Sequence, residues 1–182
     1  DLEALAALTR PTMPDYIVMH AGPTNWPGRD LPPGVLDAVA HRLQLEGYLI
    51  VEVGMRQNLT SPDVKVLSDM DRAVAAIRGC KGFIGIDSSP MHVAQAYLKP
   101  GAVAFGCINP DYRIIHTSLM RPVQAEVGCK HCHHWRTAPR TFSDCVRGNP
   151  ECMERINAEM IYDEFKKALE VKMRSNTVQK TA

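Results

Sequence analysis

The sequence predicts an α/β protein, a Rossmann-like parallel sheet with helices on both faces. Short apolar runs containing β-branched residues recur at Tyr16–His20, Tyr48–Val53, Phe83–Ile86 and Ala102–Phe105. Between them, apolar residues fall at helical spacing, and glycines and prolines mark the joints. Runs that stay apolar instead of alternating belong to strands buried on both faces.

Taken in order, residues 1–15 read as a linker or helix end, closed by Arg10-Pro11-Thr12-Met13-Pro14. Tyr16–His20 is the first strand. It runs into Ala21–Pro32, too rich in proline and glycine for regular structure. Leu36, Val39, Ala40 and Leu43 then follow helical spacing, and Gly47 stops that helix before the second strand. Strand, helix and strand in so short a span make a right-handed βαβ unit. Gly54–Val66 reads as a polar loop. Ser68 with Asp71 looks like a capping box for a helix carrying Ala73, Val74 and Ile77.

The third strand ends in Asp87-Ser88-Ser89-Pro90-Met91-His92, and a helix over Ser89–Leu98 begins at once. Either serine can cap it, and proline suits a first turn that has no use for its N–H. Free N–H groups and the helix dipole gather there, which favours phosphate. The bland alternative is an ordinary capped turn. Ala102–Phe105 is the fourth strand. In open parallel sheets ligands bind beyond the carboxyl ends of the strands, so the loops after His20, Val53, Ile86 and Phe105 should share one rim. The domain expected from these signals spans residues 16–128.

Composition bounds the function. The chain has 182 residues, 45% of them hydrophobic, and a formal net charge of +1. A dedicated polyanion surface is not indicated, so nucleic-acid binding is disfavoured. No apolar run approaches the roughly 20 residues of a membrane span, and no signal peptide is visible.

Residues 129–152 form a Cys-rich segment. Cys129-Lys130-His131-Cys132, followed by Cys145 and Cys152, suits one tetrahedral zinc ion with four thiolate ligands. His131, His133 and His134 are candidates to replace a thiolate or tune the site. Two disulfides, or free thiols in a redox motif, are the alternatives. Cys80 and Cys107 stand alone in apolar surroundings as core thiols. A C-terminal helix is expected over 153–174, striped by Met153, Ile156, Met160, Phe165 and Leu169, and a frayed tail over 175–182.

Asp87-Ser88-Ser89-Pro90-Met91-His92-Val93-Ala94-Gln95-Ala96 resembles the Asp-Thr/Ser-Gly-x-x-His-x-x-x-Ala signature of heptosyltransferase-like glycosyltransferases, family 9, of GT-B fold. Two further matches follow in family order. Ala21-Gly22-Pro23 with Gly28-Arg29-Asp30-Leu31-Pro32 matches a phosphate-reaching loop in outline, and Cys152-Met153-Glu154-Arg155-Ile156 matches the end of a cysteine insert. There are departures. Ser89 replaces a glycine, Arg29 a lysine, and Asp30-Leu31 an Arg-Trp pair; no acid after the second strand matches the one that holds the nucleoside.

The resemblance implies the donor-binding, C-terminal half of a glycosyltransferase, taking a nucleotide-diphosphate sugar as donor substrate. Arg29, Asp87, Ser88, Ser89, Met91 and His92 would bind the donor, with Arg29 and the amides of Ser89 and Met91 at the diphosphate. His20 is a weaker candidate, and His41 and His116 read as surface or structural. No catalytic residue is assigned here. The catalytic base and the acceptor site would come from an N-terminal GT-B domain, in cis or on a partner chain. The implied address is cytoplasmic or the inner face of a membrane, which argues against disulfides. The competing reading is a non-catalytic Rossmann-like interaction module with a structural zinc site.

Overall fold

The computed structural model describes residues 14–24, 26, 28–135 and 145–180, with side chains as far as Ser175. Most of the expected linker and the Arg136–Asp144 part of the Cys-rich segment lie outside the described residues.

Six strands form one all-parallel sheet, β1 (Tyr16–His20), β2 (Leu49–Gly54), β3 (Val64–Leu67), β4 (Gly82–Ile86), β5 (Gly101–Ala104) and β6 (Met120–Val123), in the order β3-β2-β1-β4-β5-β6. The helices are α1 (Val35–Leu45), α2 (Met70–Gly79), α3 (Ser89–Ala96), α4 (Glu151–Glu154) and α5 (Ala158–Lys180). Strand alternation sends Ile17, Met19, Ile50, Ile84 and Ile86 to one face, where they meet Leu36, Val39 and Leu43 of α1 and Phe165 of α5. Val18, Val51, Phe83 and Val103 go to the other face, with Ile77 of α2 and Met91 of α3. Within the four apolar runs read from the sequence, Ile17, Val18, Ile50, Val51, Ile84, Ile86, Val103 and Phe105 are at most 1% exposed. The expected fold class is the observed one.

Close packing explains two glycines. A Cβ on Gly82 would sit 2.6 Å from the Phe165 ring, so α5 crosses β4 where no side chain intervenes. A Cβ on Gly106 would strike the Gly28 carbonyl and stand 2.9 Å from Cys152 Sγ, which brings the β1–α1 loop, the end of β5 and α4 together.

Several boundaries differ from expectation. The supposed polar loop contains β3, and β6 follows β5 although it includes Pro122. Helix α2 is capped by Asp69, whose side chain accepts from the Arg72 N–H at 3.0 Å, and not by Ser68. Helix α3 ends at Ala96, because Leu98 takes a left-handed φ of 52°. The single C-terminal helix is split. Asn157 accepts from the Met160 N–H at 3.0 Å and starts α5 afresh, as a short polar side chain does better at a cap than inside a helix. The backbone then stays helical to Lys180, six residues past the expected end. Among the described residues no helix is long and apolar enough to cross a membrane.

Candidate functional site

The loops after β1, β2, β4 and β5 do share the carboxyl edge of the sheet, and three of them meet at Asp87. This residue closes β4, is 1% exposed, and stands opposite Arg29, whose Nη2 lies 3.0 Å from its Oδ2. The same Nη2 donates to the Asp87 carbonyl. A second guanidinium, Arg113 from the β5–β6 connection, places its Nε 3.9 Å from the same oxygen. Two cations around one carboxylate leave a net positive charge at the edge. Asp87 Oδ1 and Arg29 Nε are buried without a hydrogen-bond partner. The Arg29 guanidinium also lies 4.9 Å from the centre of the Trp26 ring.

Helix α3 begins two residues after Asp87. Its N-cap, Ser88, makes no side-chain cap; the hydroxyl turns back to donate to the Ile86 carbonyl at 3.0 Å. The first turn thus keeps its anion-attracting end free of a side-chain acceptor. Met91 follows in the first turn of α3. Its side chain is fully buried and its N–H donates to the Ser88 carbonyl at 3.1 Å. His92 is exposed.

Beside α3 the edge opens into a cavity of about 400 Å³. His20, Val53, Met55, Asp69, Met70 and Ser88 are among the residues that line it, with Ser89 and Pro90 at one end. His20 is held by a 2.8 Å hydrogen bond between Nδ1 and the Val53 carbonyl, and burial lowers its pKa from 6.5, which favours the neutral ring. Nδ1 then carries the proton and Nε2 remains an acceptor.

The connection that follows β2 depends on Glu52. This glutamate is fully buried on β2, and its Oε1 accepts from the N–H groups of Asn58 (2.7 Å) and Leu59 (3.1 Å). Burial raises its pKa above the ordinary 4.5. Asn58 in turn donates to the carbonyls of Gly22 and Arg56, which ties the β2–β3 connection to the loop after β1. Neither Glu52 nor Arg113 stood out in the sequence. A charged residue inside an apolar run was the available signal for the first; the second had none.

The Cys-rich segment packs on the same edge. His133 N–H donates to the Cys107 carbonyl at 3.1 Å, and its ring meets Trp26 edge-on at 5.0 Å. His134 lies 4.8 Å from Tyr112, beside Arg113 in the chain. All six cysteines are free thiols. Cys129, Cys132 and Cys152 are buried, and Cys145, half-buried, donates to the Asn149 carbonyl at 2.8 Å. Burial, then the proximity of Cys129, Cys132 and Cys145, pushes the Cys152 thiol up to about 11. Burial, then the proximity of Cys129 and Cys145, also raises the Cys132 thiol. Among the described residues, however, no three His, Cys, Asp or Glu side chains are grouped to hold a metal ion, so the expected tetrahedral zinc set is not assembled.

A parallel α/β sheet with a cavity and a helix amino terminus at its carboxyl edge defines the Rossmann-like class of fold, in which ligands bind beyond the strand ends. No protein-family model matches the chain, and no curated protein matches it. Solved structures do. The fold is shared with ADP-heptose lipopolysaccharide heptosyltransferase II of E. coli, at 18% identity and a TM-score of 0.69, over 94% of this chain and 51% of that one. It is shared with a glycosyltransferase family 9 structure from Veillonella parvula DSM 2008, at 16% identity and a TM-score of 0.69, over 93% and 51%. The iron-containing heptosyltransferase TibC of enterotoxigenic E. coli, solved with ADP-D-beta-D-heptose, matches at 16% identity and a TM-score of 0.67, over 90% and 48%. The chain spans about half the length of these structures, and the fold resemblance read from its sequence holds.

Proposed function

We propose that this chain is the donor-binding half of a glycosyltransferase that takes a nucleotide-diphosphate sugar. The observation that carries the reading is the continuity of the carboxyl edge. A largely apolar cavity of about 400 Å³ abuts the α3 amino terminus, and an arginine pair lies beyond it. That sequence of surfaces suits a nucleoside, then its phosphates, then a sugar. The ADP-heptose bound by TibC has the same three parts.

In this reading the nucleoside fills the cavity, with Met55 and Met70 against the base and His20 Nε2 or Asp69 accepting a hydroxyl or amino proton. Ser88 and Ser89 lie at the phosphates. Arg29 offsets the charge that grows on the leaving diphosphate, where fixed electrostatic stabilisation is strong. Asp87 is buried between two guanidiniums and is poorly placed to be a catalytic base. The base and the acceptor site would come from an acceptor-binding domain, in cis or on a partner chain.

Cys129, Cys132, Cys145 and Cys152 are donors of the type zinc prefers, although the described residues do not group three of them around one point. We infer that they take one structural zinc ion, which would hold the Cys-rich segment against the site. Burial and neighbouring thiols raise Cys132 and Cys152, which supports this, since a cation relieves that cost once the thiols are deprotonated.

Thermal-shift measurements against nucleoside diphosphates and their sugars test the donor reading. One base series should stabilise the chain with the concentration dependence of mass action. No stabilisation by any member would overturn it in favour of an interaction module.

A further inference from the structure

Arg113 is held in place with unusual care for a loop residue. Gln95 of α3, 4% exposed, donates from Nε2 to the Arg113 carbonyl at 2.9 Å, and its Oε1 accepts from the Ile115 N–H at 2.8 Å. One buried amide thus clamps the backbone on both sides of Ile114 to the helix whose amino terminus faces the rim. The Arg113 side chain remains 41% exposed, with its Nε 3.9 Å from Asp87 Oδ2, against 21% and 3.0 Å for Arg29. Arg29 is the tight partner of Asp87, and Arg113 is the loose one.

Strand order then fixes position. The cavity is lined from β1, β2 and the start of α2; Asp87 and the start of α3 follow at β4; Arg113 enters from beyond β5. A chain of two phosphates that leaves the cavity and crosses the end of β4 reaches α3 first and Arg113 second. The geometry points to Arg113 as the residue that grips the phosphate distal to the nucleoside, and so selects a nucleoside diphosphate over a monophosphate. On binding, Arg113 exchanges Asp87 for the phosphate, while Arg29 stays and keeps Asp87 paired. A guanidinium can meet a phosphate with two parallel N–H donors, which a lysine cannot.

This inference rests on the donor reading, and one titration series separates the two. Wild-type protein, Arg113→Gln and Arg113→Lys are titrated with the nucleoside diphosphate chosen by the thermal-shift panel, and with its monophosphate. Loss of one charge-assisted contact should weaken diphosphate binding of Arg113→Gln by about tenfold or more. Its monophosphate affinity should stay within about twofold of wild type, and Arg113→Lys should recover part of the loss. Unchanged diphosphate binding in Arg113→Gln, or an equal loss for both ligands, would overturn the role of Arg113 and leave the donor reading standing. Wild-type protein that binds neither ligand would remove both.

Discussion

At the scale of single residues, the site is governed by charges taken out of water. Arg29 sits against a buried carboxylate and a tryptophan ring, so its guanidinium is preorganised before any ligand arrives. Arg29→Ala should weaken nucleoside diphosphate binding by roughly 1.5–3 kcal/mol, the range for hydrogen bonds to charged groups. Calorimetric titration checks this, and wild-type affinity in the variant would discard Arg29 as a donor contact. Glu52 makes a separate claim on pH. Because burial raises its pKa, the folded chain holds the Glu52 proton longer than the unfolded chain does. Its contribution is therefore most favourable below the ordinary value of 4.5 and is lost as pH rises from there through the raised folded value. Glu52→Gln keeps an acceptor for Asn58 and Leu59 but cannot ionise. The melting temperature of Glu52→Gln minus that of wild type should climb from acid towards neutral pH and then level off. A flat difference would mean that Glu52 does not titrate out of step with the unfolded chain.

At the scale of elements, legibility followed position in the sheet. The four strands read from the sequence are the four interior ones, β1, β2, β4 and β5, whose neighbours on both sides demand continuous apolar residues. The two that escaped, β3 and β6, are the edges. An edge strand tolerates Lys65 or Pro122, because one side of it has no ladder to complete. The same logic divides the site. Asp87, Ser88 and Ser89 sit where a strand hands over to a helix, a junction with a sequence signature. Arg113 depends on Gln95, 18 residues away, and no local pattern announces that pairing. The motif marks the helix start, but that the Met91 amide goes to the N-cap carbonyl is decided by the geometry of the turn. The Cys-rich element carries its own prediction. Protein purified without added metal should hold about one equivalent of zinc per chain, and a chelator should lower its melting temperature. Elemental analysis is the check, and a chain that carries no metal with all its thiols reactive would end the proposal.

At the scale of the whole molecule, the two faces of the sheet do different work. One is sealed by α1 and α5, joined through the Tyr162 hydroxyl and Lys166 ammonium, both of which donate to Glu46. The other carries α2 and α3, whose amino ends, with the loops before them, frame the cavity and the rim. Helix α5 spans the back of β4 and β5 while the functional loops lie at the strand ends. Changes in the rim can therefore be made without opening the core that holds it up.

The Gln95 clamp also bears on time. Loops usually open to solvent by themselves, at little cost in free energy. A segment whose carbonyl and N–H are both held by one buried side chain cannot do so, because any excursion strands that amide among apolar neighbours. The stretch from Arg113 to Ile115 should therefore open together with α3. Its amide hydrogens should exchange with water in step with those of the helix, which hydrogen-exchange measurement checks, so that the two sides of the rim lose their shape together.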